Sequence, residues 1–296
     1  MKNAFVLNTA SRRGREFSHI WKEAFVLAGI EVEEVHLIKH PAQLQATLEK
    51  LVGQSPEAIY LAGGDGTQQT GAQVLHGTNV ALGVIPTGTG NSLARELEIP
   101  FDPVAAVQAL KDADRKFIDL GELEFGKERK IFVTLVTIGL TGGIVDALTR
   151  KSREKLGVVA YLPSALQAYL NFKPIDFELI GSEFNSAGAA IQIVFAAGQL
   201  HAGPFSVTPD ALLDDGFING YVVRGSTRQE VIAYAMALGA GIQTALPYVE
   251  PFAVKEIRFE SHDRTRVIID GEKLLLRSFT VRCLPTSLCV LTPRTS

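Results

Sequence analysis

The chain has 296 residues, 46% of them hydrophobic and 21% charged, with a formal net charge of -3. That length passes the size at which one hydrophobic core stops growing, so two domains are expected. The charge excludes the strongly basic footprint of a nucleic-acid-binding protein. Cys283 and Cys289 form neither a disulfide framework nor a metal-ligand spacing and read as reduced thiols of a cytoplasmic protein. The N-terminus enters a strand at once, with no signal-peptide core. The apolar stretch 157–170 is too short for a membrane span and is interrupted by Pro163 and Gln167.

Along the first 112 residues, apolar runs at 3–7, 30–38, 57–62 and 79–85 alternate with segments of helical period at 17–28, 42–53, 67–75 and 91–97. That rhythm predicts a doubly wound, mostly parallel α/β sheet, whose ligands bind beyond the carboxyl ends of the strands. Two of those ends are glycine-rich: Gly63-Gly64-Asp65-Gly66-Thr67 and Pro86-Thr87-Gly88-Thr89-Gly90-Asn91. Bare amides at a strand-to-helix turn, with the helix dipole behind them, form an anion site without a cationic side chain. Each turn could equally be a plain connection in which glycine supplies an unusual φ and Thr67 caps a helix. Two such turns together, with Asp65 among glycines where it could meet Mg²⁺ on a nucleotide, favour phosphate binding. Neither turn has the Lys-Ser/Thr of a Walker loop, and Leu93 stands where a dinucleotide fingerprint needs its third glycine.

From about residue 116 strands dominate, at 130–138, 189–197, 216–223, 257–260, 266–269 and 278–283, separated by turn residues. An antiparallel sandwich or barrel is expected there, interrupted by helices at 158–170 and 228–238. Thr227 and Glu230 form a capping-box pattern at the start of the second helix. The domain boundary is placed at 121/122, with 122–283 as the second domain and 284–296 packing back onto the first. Asp270-Gly271, between two apolar runs, reads first as a hairpin turn.

The motifs in order resemble the diacylglycerol kinase catalytic-domain family, which includes bacterial lipid kinases and the sphingosine and ceramide kinases. The landmarks are Asn8 with Ser11 and Gly14, the two glycine turns, Phe117-Ile118-Asp119-Leu120-Gly121, Pro209-Asp210-Ala211-Leu212-Leu213-Asp214-Asp215-Gly216, and Ile269-Asp270-Gly271-Glu272. The resemblance implies a nucleotide-binding α/β domain, a C-terminal β-sandwich with the active site in a cleft, ATP and Mg²⁺ as cofactors, and γ-phosphate transfer to a lipid hydroxyl at a membrane surface visited peripherally. It implies phosphate contacts from Asn8, Ser11, Gly14, Gly63, Gly64, Gly66, Thr67, Gly88, Thr89 and Asn91, and service to the metal-nucleotide complex by Asp65. It further implies a structural Mg²⁺ on Asp215, and Glu272 with Asp119 as the carboxylates that accept the hydroxyl proton. Gln69 and Thr70 stand where the family often has an Asn-Glu pair, so the resemblance implies no adenine or ribose contact there, and Ser92 replaces an aspartate common in the bacterial members, which leaves the lipid headgroup open. An NAD kinase, which shares the first glycine turn, and a catalytically silent nucleotide or lipid sensor are the alternatives.

Overall fold

The computed structural model describes residues 3–140, 173–198, 201–202, 205–206, 211–240 and 242–294. The chain divides into two units: Met1–Leu120 with Leu213–Asp215 and Leu284–Ser296, and Gly121–Leu212 with Gly216–Cys283. The expected helix over 158–170 lies outside the described residues, as do Pro209 and Asp210.

In the first unit, β1 (Asn3–Asn8), β2 (Glu34–Ile38), β3 (Ala58–Gly63) and β4 (Ala81–Pro86) pair in parallel in the order β2-β1-β3-β4. β3 and β4 are buried at every position, which is why they read as unbroken apolar runs rather than alternating ones. Successive strand residues turn to opposite faces. Tyr60 meets Phe25 of α2 (Trp21–Ala28) with ring centroids 5.4 Å apart, while Leu61 lies under Gly71 of α4 (Asp65–Leu75). The helix expected over 17–28 is instead two, α1 (Arg12–Phe17) and α2, with a break at residues 18–20. α3 (Leu44–Gly53) and α5 (Ser92–Glu96) fall where periodicity placed them. An unforeseen α6 (Pro103–Ala109) starts at Asp102, whose carboxylate accepts the Val104 and Ala105 amides, with Pro103 in the first turn. Strand β5 (Asp114–Phe125) begins in this unit and continues into the second.

The second unit is β-rich and antiparallel. It contains β6 (Glu128–Phe132), β7 (Leu135–Gly139), β8 (Ile175–Gly181), β9 (Asn185–Ala196), the short pair β10 (His201–Ala202) and β11 (Phe205–Ser206), β12 (Ile218–Arg224), helix α7 (Arg228–Ala240), β13 (Val249–Val254), β14 (Glu256–Ile269) and β15 (Glu272–Thr292). β7 and β8 both lie between β9 and β14. β12 covers the other side of β9 and pairs outward with β13. The core holds Phe132, Phe195, Phe259 and Phe279, with Phe259 and Phe279 stacked at 4.8 Å. The Thr227–Glu230 capping box forms at the start of α7. Strands 257–260 and 266–269 are one strand with an irregularity between Glu260 and Thr265. The run expected at 278–283 belongs to β15, whose last residues rejoin the first unit, where Val290 pairs in parallel with Leu82. The run 130–138 is not one strand: it breaks at Val133 and Thr134, because their amides are taken by a carboxylate rather than a neighbouring strand.

Candidate active site

Three turns of the first unit are fastened together. The Asn8 side-chain amide at the end of β1 donates to the Thr67 hydroxyl at 2.9 Å. Ser11 caps α1 by accepting the Gly14 amide at 2.9 Å, and its hydroxyl donates to the Thr87 carbonyl at 3.3 Å. The Thr87 amide donates to the Gly63 carbonyl at 2.9 Å. Between the glycine turns the backbones touch: a Cβ on Gly88 would lie 2.5 Å from the Gly64 Cα, so glycine is required by the approach itself.

Asp65 completes the fastening. Its Oδ2 accepts the Asn91 amide at 3.0 Å and its Oδ1 the Ser92 amide at 2.6 Å. Asn91 is in the left-handed region at φ +54° and sits nearly buried; its Oδ1 accepts the Gly88 amide at 3.0 Å and its Nδ2 donates to the Gly88 carbonyl at 3.1 Å. The first amides of α5, which no intrahelical carbonyl can satisfy, are thereby spent on Asp65. The N-terminus of α4 is different. Its N-cap is Gly64, which brings no side-chain cap to the first amides at the positive end of this 11-residue helix. Gly66, Thr89 and Gly90 are exposed, while Gly63 and Thr67 are buried beneath them. The arrangement offers backbone amides to an anion over a surface that three separate chain segments hold in place.

Asp119 is not brought to these turns. It is buried, and its Oδ1 accepts the amide of Thr286 at 2.7 Å. The neighbouring Ser287 carbonyl accepts the Gly77 amide, ahead of β4, whereas Gly88 lies beyond its far end. Six residues of strand separate the two places, roughly 20 Å at ~3.3 Å per residue. The Asp119 amide also donates to the Leu213 carbonyl at 2.7 Å, and Lys116 pairs with Asp214 at 3.1 Å, so this region tethers the short segment that carries Asp215. No group of three or more His, Cys, Asp or Glu able to hold a metal occurs among the described residues.

In the second unit Glu272 opens β15, directly after the Asp270-Gly271 turn, and is ion-paired with Lys130 of β6. Half of its side chain is exposed. Lys130 carries no motif and was not singled out by the sequence; its partner lies 142 positions away. Asp270 stands in the expected hairpin turn, and its carboxylate in addition binds the 133–135 backbone.

Residues 2–123 match the family model described as the diacylglycerol kinase catalytic domain, and residues 134–292 match the YegS C-terminal NAD kinase beta sandwich-like domain. A diacylglycerol kinase of Mycobacterium tuberculosis (strain ATCC 25618 / H37Rv) is 27% identical over 250 residues, covering 83% of this chain and 80% of the relative. A protein of Klebsiella pneumoniae (strain 342) named "Probable lipid kinase YegS-like" is 28% identical over 240 residues, covering 80% and 78%. The solved structure of a diacylglycerol kinase from Bacillus anthracis str. Sterne superposes with a TM-score of 0.78 over 98% of this chain and 96% of that one, at 18% identity, a likeness of fold.

Proposed function

This chain belongs to the diacylglycerol kinase and YegS-like family of lipid kinases and is a phosphotransferase, and on that premise we propose that it transfers the γ-phosphate of ATP to the hydroxyl of a lipid alcohol, diacylglycerol before others. The observation that carries this reading is the fastening of three turns into one amide-lined surface, with the uncapped end of α4 at its centre. Phosphoryl transfer depends mainly on positioning and charge neutralisation, and preorganised amides supply both. The Asn8–Gly14 segment, Gly63 to Thr67 and Gly88 to Asn91 bind and orient the phosphates.

The residues present fit a magnesium ion. Each Asp65 oxygen accepts one amide and keeps a second acceptor direction, and magnesium typically needs one or two carboxylates beside phosphates and water. When bound, the ion would supply charge neutralisation at the phosphates. Asp215, in the tethered 213–215 segment, is assigned a second, structural magnesium. Glu272 is assigned the proton of the attacking hydroxyl; Asp119, buried and bonded to Thr286, is assigned to holding the chain segments around it. The acceptor is a bilayer lipid, so the protein works at a membrane surface, visiting it from the cytoplasm. Among the described residues no helix is long and apolar enough to cross one.

The test is transfer of labelled phosphate from ATP to a panel of diacylglycerol, sphingosine, ceramide, phosphatidylglycerol and NAD. Label in diacylglycerol is expected; label in NAD alone would sink the reading. Glu272→Gln should lower turnover by about 10²–10⁴-fold with ATP affinity by calorimetry nearly intact, and unchanged turnover removes Glu272 from the mechanism.

A further inference from the structure

The tip of the β14–β15 hairpin holds a carboxylate that the proposed chemistry does not use. Ile269 pairs with Glu272, leaving a two-residue loop in which Asp270 and Gly271 take φ +44° and +90°. Both are left-handed, the requirement of a type I′ turn, and Asn-Gly meets it as well as Asp-Gly. The turn alone therefore does not call for an ionisable side chain. Yet the Asp270 Oδ2 accepts the Val133 amide at 2.8 Å, and its Oδ1 accepts the amides of Thr134 at 3.1 Å and Leu135 at 3.0 Å together with the Thr134 hydroxyl. Its own amide donates to the Leu135 carbonyl at 3.0 Å. Burial pushes this carboxyl above its usual range, against the four hydrogen bonds that pull it down.

The same tie governs two side chains. Glu272 follows Asp270 by two residues, and Lys130, its ion-pair partner, precedes Val133 by three on β6. Clamping the turn to the 133–135 bend fixes both ends of the pair. Without the clamp, the exposed Glu272 side chain keeps only a surface ion pair, and such pairs hold geometry weakly.

We infer that Asp270 is a positioning residue for Glu272: its carboxylate, bound to the Val133, Thr134 and Leu135 amides, holds the hairpin tip so that Glu272 is presented beside Lys130 in one orientation. The inference rests on the assignment of Glu272 as proton acceptor. Asp270→Asn keeps the turn but replaces one acceptor oxygen by a donor that faces other donors. Turnover should fall about 10- to 100-fold, the scale of a misplacement of about 1 Å, with KM for ATP nearly unchanged.

A double-mutant cycle with Glu272→Gln is the decisive measurement. Because Asp270 acts through Glu272, Asp270→Asn should cost nothing further in the residual turnover of Glu272→Gln. An equal loss on both backgrounds overturns the inference. Normal turnover of Glu272→Gln would instead sink the base assignment, which keeps the two failures apart. Should Asp270→Asn fail to fold, Thr134→Val removes only the hydroxyl donor and leaves the amide ties. It should lower kcat several-fold on the native background alone, and shift the Val133 to Leu135 amide proton resonances. Unmoved resonances, or the same kcat loss in Glu272→Gln, overturn the proposal.

Discussion

An aspartate followed by glycine stands at a sharp turn in each unit, and both aspartates tie the amides of a distant segment: Asp65 those of Asn91 and Ser92, Asp270 those of Val133, Thr134 and Leu135. They differ in what is left over. Asp65 is exposed in the first turn of α4, where its charge suits the helix dipole. It satisfies the first amides of a second helix while its own helix has no side-chain cap. Asp270 is half-buried, and three amides and a hydroxyl claim its carboxylate. A similar local sequence thus fastens two glycine turns to each other in one unit and ties a hairpin tip to a bend in the other.

The harshest way to break this contrast is at the point where the glycine turns touch. In Gly88→Ala the new Cβ would lie 2.5 Å from the Gly64 Cα and 2.9 Å from the Asn91 Oδ1. The first of these is backbone and cannot swing aside. Overpacking of this kind costs typically ~1–3 kcal/mol of stability, and the turns must part to relieve it. ATP affinity measured by calorimetry should fall on the order of 100-fold, since a loss of about 2.7 kcal/mol separates those values. Affinity close to wild type would show that the two turns do not act as one surface.

Asp65→Asn sharpens the contrast with a smaller effect. The shape is kept, but one oxygen that accepts an amide becomes a donor. Hydrogen bonds to charged groups contribute about 1.5–3 kcal/mol, so ATP binding should weaken ~10-fold or more. The tie to Asn91 and Ser92 exists without metal, so ADP measured in a chelator should lose affinity as well. A loss confined to magnesium-containing buffer would assign Asp65 wholly to the cation.

What the sequence reveals and conceals about this site follows from the range of the interactions. The parallel order β1, β3, β4 and the glycine turns are legible because each strand, turn and helix start is written in adjacent residues, and the Thr227–Glu230 box is equally local. The split of residues 130–138 is not legible, because an otherwise continuous apolar run is interrupted by Asp270, 136 residues from Thr134. Lys130 goes unremarked for the same reason. Asp102-Pro103 was a readable helix start that the apolar rhythm overshadowed. Asp119 sits within a recognisable motif, yet the motif says nothing of the Thr286 amide that occupies its carboxylate.

The smallest effect separates two carboxylates of the second unit by the sign of their pH dependence. Glu250 is partly buried, which alone would raise its pKa, but hydrogen bonds from Arg224 at 2.9 Å and Ser186 at 2.8 Å outweigh burial and hold it below 4.5. A depressed folded pKa contributes stability that is complete above the unfolded value and is lost as pH falls through the folded one. The Arg224 and Glu250 side chains are 31% and 38% exposed, so solvent screening limits the pair to about 0.5–1 kcal/mol. For Asp270 the folded pKa lies above 3.8, and its contribution is complete below that value and declines as pH rises through the folded pKa. In urea unfolding followed by circular dichroism across this acidic range, the deficit of Glu250→Gln should grow as pH rises, while that of Asp270→Asn should shrink. Parallel slopes would mean that the Asp270 carboxyl titrates as the ionised, hydrogen-bonded group that its four partners favour, with burial the weaker influence.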